Sequence, residues 1–130
     1  MLTQQTAINT VRDYTHEIGN SGVSLKYVIL YGSFAKGTQH EWSDIDVALV
    51  ADEFEGLPTD HYFFAPIAIK KPYIRIETIT YPTEYFLEGD PFIEEIKKEG
   101  ILILNTCIES EKSLLLHTWK DQKQYQKSRR

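Results

Sequence analysis

Leu30-Tyr31-Gly32-Ser33-Phe34-Ala35-Lys36-Gly37-Thr38, and after it Ser43-Asp44-Ile45-Asp46-Val47-Ala48-Leu49-Val50, decide how this chain is read. The first run ends a β-branched and aromatic stretch, Tyr27 to Tyr31, which predicts a buried strand stopped by Gly32. The second alternates. Asp44, Asp46 and Ala48 point one way and Ile45, Val47 and Leu49 the other, which predicts a second strand over 44–50. Between them runs a polar loop with Lys36, Gly37 and His40.

The paired aspartates carry the chemistry. At i and i+2 on one strand their carboxylates leave the same face, about 7 Å apart at the backbone. Two such acids repel unless they are solvated or share a cation. Mg²⁺ takes one or two carboxylates together with substrate phosphate oxygens. Gly32 lets a phosphate approach the backbone, Ser33 adds a hydroxyl, and Lys36 adds a cation. One side of the site would then hold a triphosphate and the other a metal, the division of labour that nucleotidyl transfer requires. Glu77, within Tyr73-Ile74-Arg75-Ile76-Glu77, is a candidate third acid. It completes the metal site, takes the proton of an acceptor hydroxyl, or simply pairs with a lysine or with Arg75.

Outward from this stretch, Ala7, Val11, Tyr14 and Ile18 make an apolar stripe, so a helix is expected over 3–18, stopped by Gly19 and Asn20. Further helices are expected over 59–69, made imperfect by Tyr62, Phe63 and Pro66 and followed by a break at Pro72, and over 83–87 and 91–99, the last with Phe92, Ile93 and Ile96 inward and Gly100 as its cap. Strands are expected over 73–80 and 101–105, and a final helix over 110–120. The pattern is that of an α/β (α+β) domain.

The 130 residues suit one domain, with 42 % apolar and 25 % charged residues. We read 1–119 as that domain and 120–130 as a basic, disordered tail. A net charge of −5 makes a long nucleic acid a poor partner. The single cysteine, Cys107, forms no internal disulfide and reads as a core residue. No signal peptide or membrane span is expected, so the expected location is cytoplasmic.

Gly-Ser, ten residues (34–43), then Asp-x-Asp resembles the signature of the minimal nucleotidyltransferase (MNT) family of the polymerase-β-like superfamily, over about residues 5–105. The resemblance implies a small mixed β-sheet flanked by helices. It implies Gly32 and Ser33, with Lys36 and Ser43, on the nucleotide, and Asp44 and Asp46 on Mg²⁺. Its third acid maps to Glu77, where the family usually has Asp. Members of this family are often antitoxins encoded beside a helical HEPN partner, and some transfer AMP from ATP to a tyrosine of that partner. Others resemble enzymes that adenylylate aminoglycosides. Three functions therefore compete: a transferase acting on a protein or small-molecule hydroxyl, an antitoxin that acts by covering its partner, and a nucleotide sensor.

The remaining residues receive structural readings. Phe34 either stacks on a base or packs in the core. Trp42 is expected to pack, Asp60 to cap a helix beside a surface His61, and His40 to lie near the site by chance. Tyr62, Phe63 and Phe64 are consecutive and cannot all face one core, so one of them is a candidate for exposure. Leu114 to Leu116 would pack on the domain or on a second copy of the chain.

Overall fold

The computed structural model describes residues 2–105. The expected helix 110–120, the tail 120–130, Cys107 and Leu114–Leu116 lie outside the described residues. Four strands form one mixed sheet in the order β3-β2-β1-β4: β1 (Leu25–Tyr31), β2 (Ile45–Ala51), β3 (Ile76–Tyr81) and β4 (Ile101–Asn105). β1 is antiparallel to both β2 and β4, whereas β2 and β3 are parallel. This is the expected small mixed sheet with helices against it.

The helices are α1 (Gln4–Asn20), α2 (Ser33–Lys36), α3 (Ala65–Ala68), α4 (Thr83–Glu88) and α5 (Pro91–Glu99). The alternation in β2 sorts its side chains onto two faces, and both faces are covered. Ile45, Val47 and Leu49 join Val11, Tyr14 and Ile18 of α1 in one core cluster. Ala48 and Val50 face Phe86 of α4 and Ile93 and Ile96 of α5 in the other. α1 is capped by the Thr3 hydroxyl, which accepts from the Thr6 amide. It runs through the expected stop at Gly19 and ends at Ser21, just before Gly22 at φ +108°. The Tyr14 hydroxyl meets that of Thr78 at 2.8 Å, which ties α1 to β3. Gln4 donates to the Phe34 and Ala35 carbonyls, so the start of α1 also holds α2.

The expectations fail where prolines interrupt helical patterns. Instead of one helix over 59–69 the chain makes a 3₁₀ segment, Pro58–Phe63, and then the short α3. Pro66 has no amide to continue the first segment's hydrogen bonding. Pro72 likewise starts a second 3₁₀ turn, Lys71–Tyr73, so β3 begins at Ile76 rather than 73. Phe92 is 46 % exposed, not inward. Gly100 ends α5 in extended backbone, and its need is space: a Cβ there would lie 2.5 Å from both Ile29 Cγ2 and the Ile96 carbonyl. Phe64 is buried, whereas Tyr62 and Phe63 are exposed. Among the described residues no helix is long and apolar enough to cross a membrane.

Asp60 does more than cap a helix. It is 2 % exposed, and its carboxylate accepts from the amides of Glu55, Gly56 and Leu57 and from the Thr80 hydroxyl. It thereby fastens the turn after β2 to β3. Burial opposes its charge, but the Thr80 hydroxyl and the three amides outweigh that and hold the carboxyl below its ordinary value. A lowered carboxyl stabilises the fold above the unfolded value of about 4 and stops doing so as pH falls through the lowered one. Replacing Asp60 by Ala strands four donors, so a loss of about 2–4 kcal/mol is expected in urea unfolding at pH 7. The gap between wild type and Asp60→Ala should narrow in titrations carried below about pH 4. A variant as stable as wild type at pH 7 would show that these bonds contribute nothing.

Candidate active site

The register of the sheet assembles the site. Tyr31 at the end of β1 pairs with Asp46 near the start of β2, and Asp46 pairs with Glu77 near the start of β3. Residues directly opposite share a face, so the three stand in one row. Because β1 is antiparallel to β2, the Gly32-Ser33 turn leaves β1 at the end where Asp44 and Asp46 enter β2. Because β3 is parallel to β2, Glu77 comes to that end as well.

Gly32 is fitted to Asp46. It adopts φ +74°, and a Cβ added to it would lie 2.2 Å from Asp46 Oδ2. Only glycine supplies both the backbone conformation and the space. Ser33 opens α2, a helical turn where the sequence suggested a loop. The Ala35 and Lys36 amides donate to the Gly32 carbonyl, so the donors this turn offers beside the acids are the amides of Ser33 and Phe34. Gly37 closes α2 in the left-handed conformation, at φ +75°.

Asp46 is half-buried. Burial, then the charge of Glu77, then that of Asp44 push its carboxyl above the ordinary range. Asp44 and Glu77 are exposed. The expected desolvation of Glu77 is therefore absent, and its place rests on register with Asp46. Arg75 does not pair with it on the evidence of its bonds: the guanidinium donates to the carbonyls of Glu41 and Ser43. Ser43 is buried. Its hydroxyl accepts from the His40 amide at 2.9 Å and its own amide donates to the His40 carbonyl, so it braces the loop. Lys36 is near, but its ammonium lies 3.1 Å from Glu99.

Phe34 is fully buried in the core, which decides between its two readings in favour of packing. One aromatic reading changes. Trp42 is 80 % exposed instead of packed. Sequence reasoning missed Tyr31 as a site residue. Burial first, and Asp46 next, push its phenol far above the ordinary value, so it stays neutral. The signal was its position immediately before Gly32 on the Asp46 face.

Among the described residues, no three His, Cys, Asp or Glu side chains are grouped to hold an ion by themselves. The donors present are carboxylate oxygens, hard ligands of the kind Mg²⁺ uses when phosphates and water complete its shell. The arrangement thus sets backbone donors and acids side by side.

Comparison with known proteins bears on the fold and the family. No curated protein matches the chain. Among solved structures, a nucleotidyltransferase candidate from Sulfolobus solfataricus superposes with a TM-score of 0.58 at 18 % identity, over 78 % of this chain and 83 % of that one. A toxin–antitoxin complex with AMP-PNP gives a TM-score of 0.55 at 17 % identity, over 92 % and 91 %. The complex of tri-AMPylated HEPN toxin of Shewanella oneidensis with its MNT antitoxin gives 0.51 at 15 % identity, over 98 % and 92 %. At such identities the likeness is one of fold. A family profile described as "Nucleotidyltransferase domain" matches residues 11–125, nearly the whole chain, and to that family the protein belongs.

Proposed function

We propose that this protein is a magnesium-dependent nucleotidyltransferase that moves AMP from ATP to a hydroxyl of a HEPN-type protein partner, as the antitoxin of a toxin–antitoxin pair acting in the cytoplasm. The observation that carries the reading is the row Asp46–Glu77 beside Asp44, with Gly32 pressed against the Asp46 carboxylate. The toxin–antitoxin complexes among its structural neighbours support the choice of partner.

Asp44 and Asp46 would hold the metal, with Glu77 within reach. Magnesium bound there supplies neutralisation of phosphate charge. The first amides of α2 and the Ser33 hydroxyl hold the triphosphate, and Lys36 exchanges Glu99 for a phosphate oxygen. Glu77, exposed at the outer end of the row, takes the proton of the acceptor hydroxyl. The acceptor oxygen attacks the α-phosphorus, the bond to the β-phosphate oxygen breaks, and pyrophosphate leaves.

The surroundings favour a macromolecular acceptor. Arg75 ties the 41–43 loop to β3, and the flanking Trp42 and Ile74 are 80 % and 72 % exposed. Large exposed apolar side chains close in sequence to Asp44 and Glu77 suit a protein surface. A small cationic acceptor of the aminoglycoside kind is the second reading, favoured by the exposed acids Glu41, Asp44 and Glu77.

The test is transfer of label from α-³²P-ATP with Mg²⁺, against a cell lysate and a panel of aminoglycosides. Label on one protein band supports the proposal, label on an aminoglycoside the second reading, and label on neither argues against transfer. Asp46→Asn should lower the rate by about 10²–10³-fold, the scale of losing one stabiliser of developing charge. The same change relieves a repelled, half-buried carboxylate, so without magnesium the variant should melt at a higher temperature than wild type at pH 7. Unchanged transfer would remove Asp46 from the mechanism. Gly32→Ala must leave the left-handed region or displace Asp46. A stability loss of about 1–3 kcal/mol, together with loss of transfer, is expected in paired unfolding and activity assays.

A further inference from the structure

A cleft of ≈ 150 Å³ lies between α2 and α5. Tyr31 and Phe92 give it aromatic surface, Ile96 adds apolar surface, and Lys36, Glu95 and Glu99 are its charged residues. Gly32 lines it too, so the cleft opens from the turn proposed to meet the phosphates. Its volume lies below the roughly 300 Å³ at which pockets for whole drug-sized ligands begin. It takes one ring system and not a complete nucleotide.

The rings of Tyr31 and Phe92 meet edge to face, with centroids 5.8 Å apart at 88°. That contact leaves Phe92 46 % exposed, an aromatic surface on which a flat ring can stack. A ring carried by the same molecule as the triphosphate reaches the cleft without a second binding event. The polar rim adds a choice. Carboxylates only accept hydrogen bonds, so Glu95 and Glu99 call for a donor on the ring edge. Adenine offers an exocyclic amino group where hypoxanthine offers a carbonyl oxygen, which a carboxylate repels.

We propose that the cleft between α2 and α5 is the nucleobase subsite, with Phe92 as its stacking surface and Glu95 selecting bases that carry an exocyclic amino group. This rests on the phosphates binding at Gly32 and Ser33.

Titration calorimetry with Mg²⁺ tests it, using the full chain with ATP, ITP and inorganic tripolyphosphate. Wild type should bind ATP more tightly than either of the others. Phe92→Ala should weaken ATP binding by about tenfold and leave tripolyphosphate unchanged. Glu95→Gln, which can donate as well as accept, should narrow the gap between ATP and ITP. Equal wild-type affinities for ATP and tripolyphosphate would overturn the subsite and leave the triphosphate reading standing. So would Phe92→Ala and Glu95→Gln variants that bind ATP and ITP as wild type does. Wild type binding neither ATP nor tripolyphosphate would overturn both.

Discussion

Strand register sets Tyr31, Asp46 and Glu77 in one row, and it does so against their charges. Asp44 adds a third negative group to the same end of the sheet. Left alone, these acids would move apart; burial first, and then the charges of Glu77 and Asp44, raise the Asp46 carboxyl. They stay because the strands beneath them are held by other forces. Val47, Leu49, Ala48 and Val50, in the same strand as Asp46, are fully buried between two layers of helices. A strand buried on both faces resists slipping, since a shift of one residue would exchange its two faces. The core thus keeps a destabilising cluster in place, which is how strain at functional sites is commonly sustained.

Much of this was legible because the relevant signals are local. The alternation over 44–50 marked β2, although the strand begins at Ile45 and so holds Asp46 with Asp44 just before it, and the glycine after Tyr31 marked the end of β1. Glu77 was picked out by its place in an expected strand, although the reason advanced for it, costly burial, fails for an exposed side chain. Its real warrant is the parallel pairing with β2, a contact between distant residues that no pattern within the chain records. The same holds for Ser43, whose work is set by His40 and Arg75, and for Asp60, whose donors come from the preceding turn and from Thr80 on β3. Trp42 shows the reverse error. A large aromatic is more often buried, but this one sits in a loop braced through backbone carbonyls, so the fold does not need its ring. Pro66, expected only to make its helix imperfect, divides it. The apolar spacing around Tyr62 to Ile69 is helical, yet a missing amide at Pro66 splits it.

The site divides into a rigid half and an adjustable half. Gly32 and Asp46 are in such close contact that the phosphate turn and the acid are one unit. α2, which carries that turn, is held from behind by Gln4 and by the buried ring of Phe34. Groups placed this way need no reorganisation when charge develops between them. Lys36 is different. It and Glu99 are both well exposed, and such an ion pair is worth about 0–1 kcal/mol. Trading Glu99 for a phosphate therefore costs little. On the proposed reading, the parts that would meet developing charge are fixed by the core, and the part that would meet an incoming polyanion is held only by an exposed ion pair, an order of stiffness that suits a site completed by its own substrate.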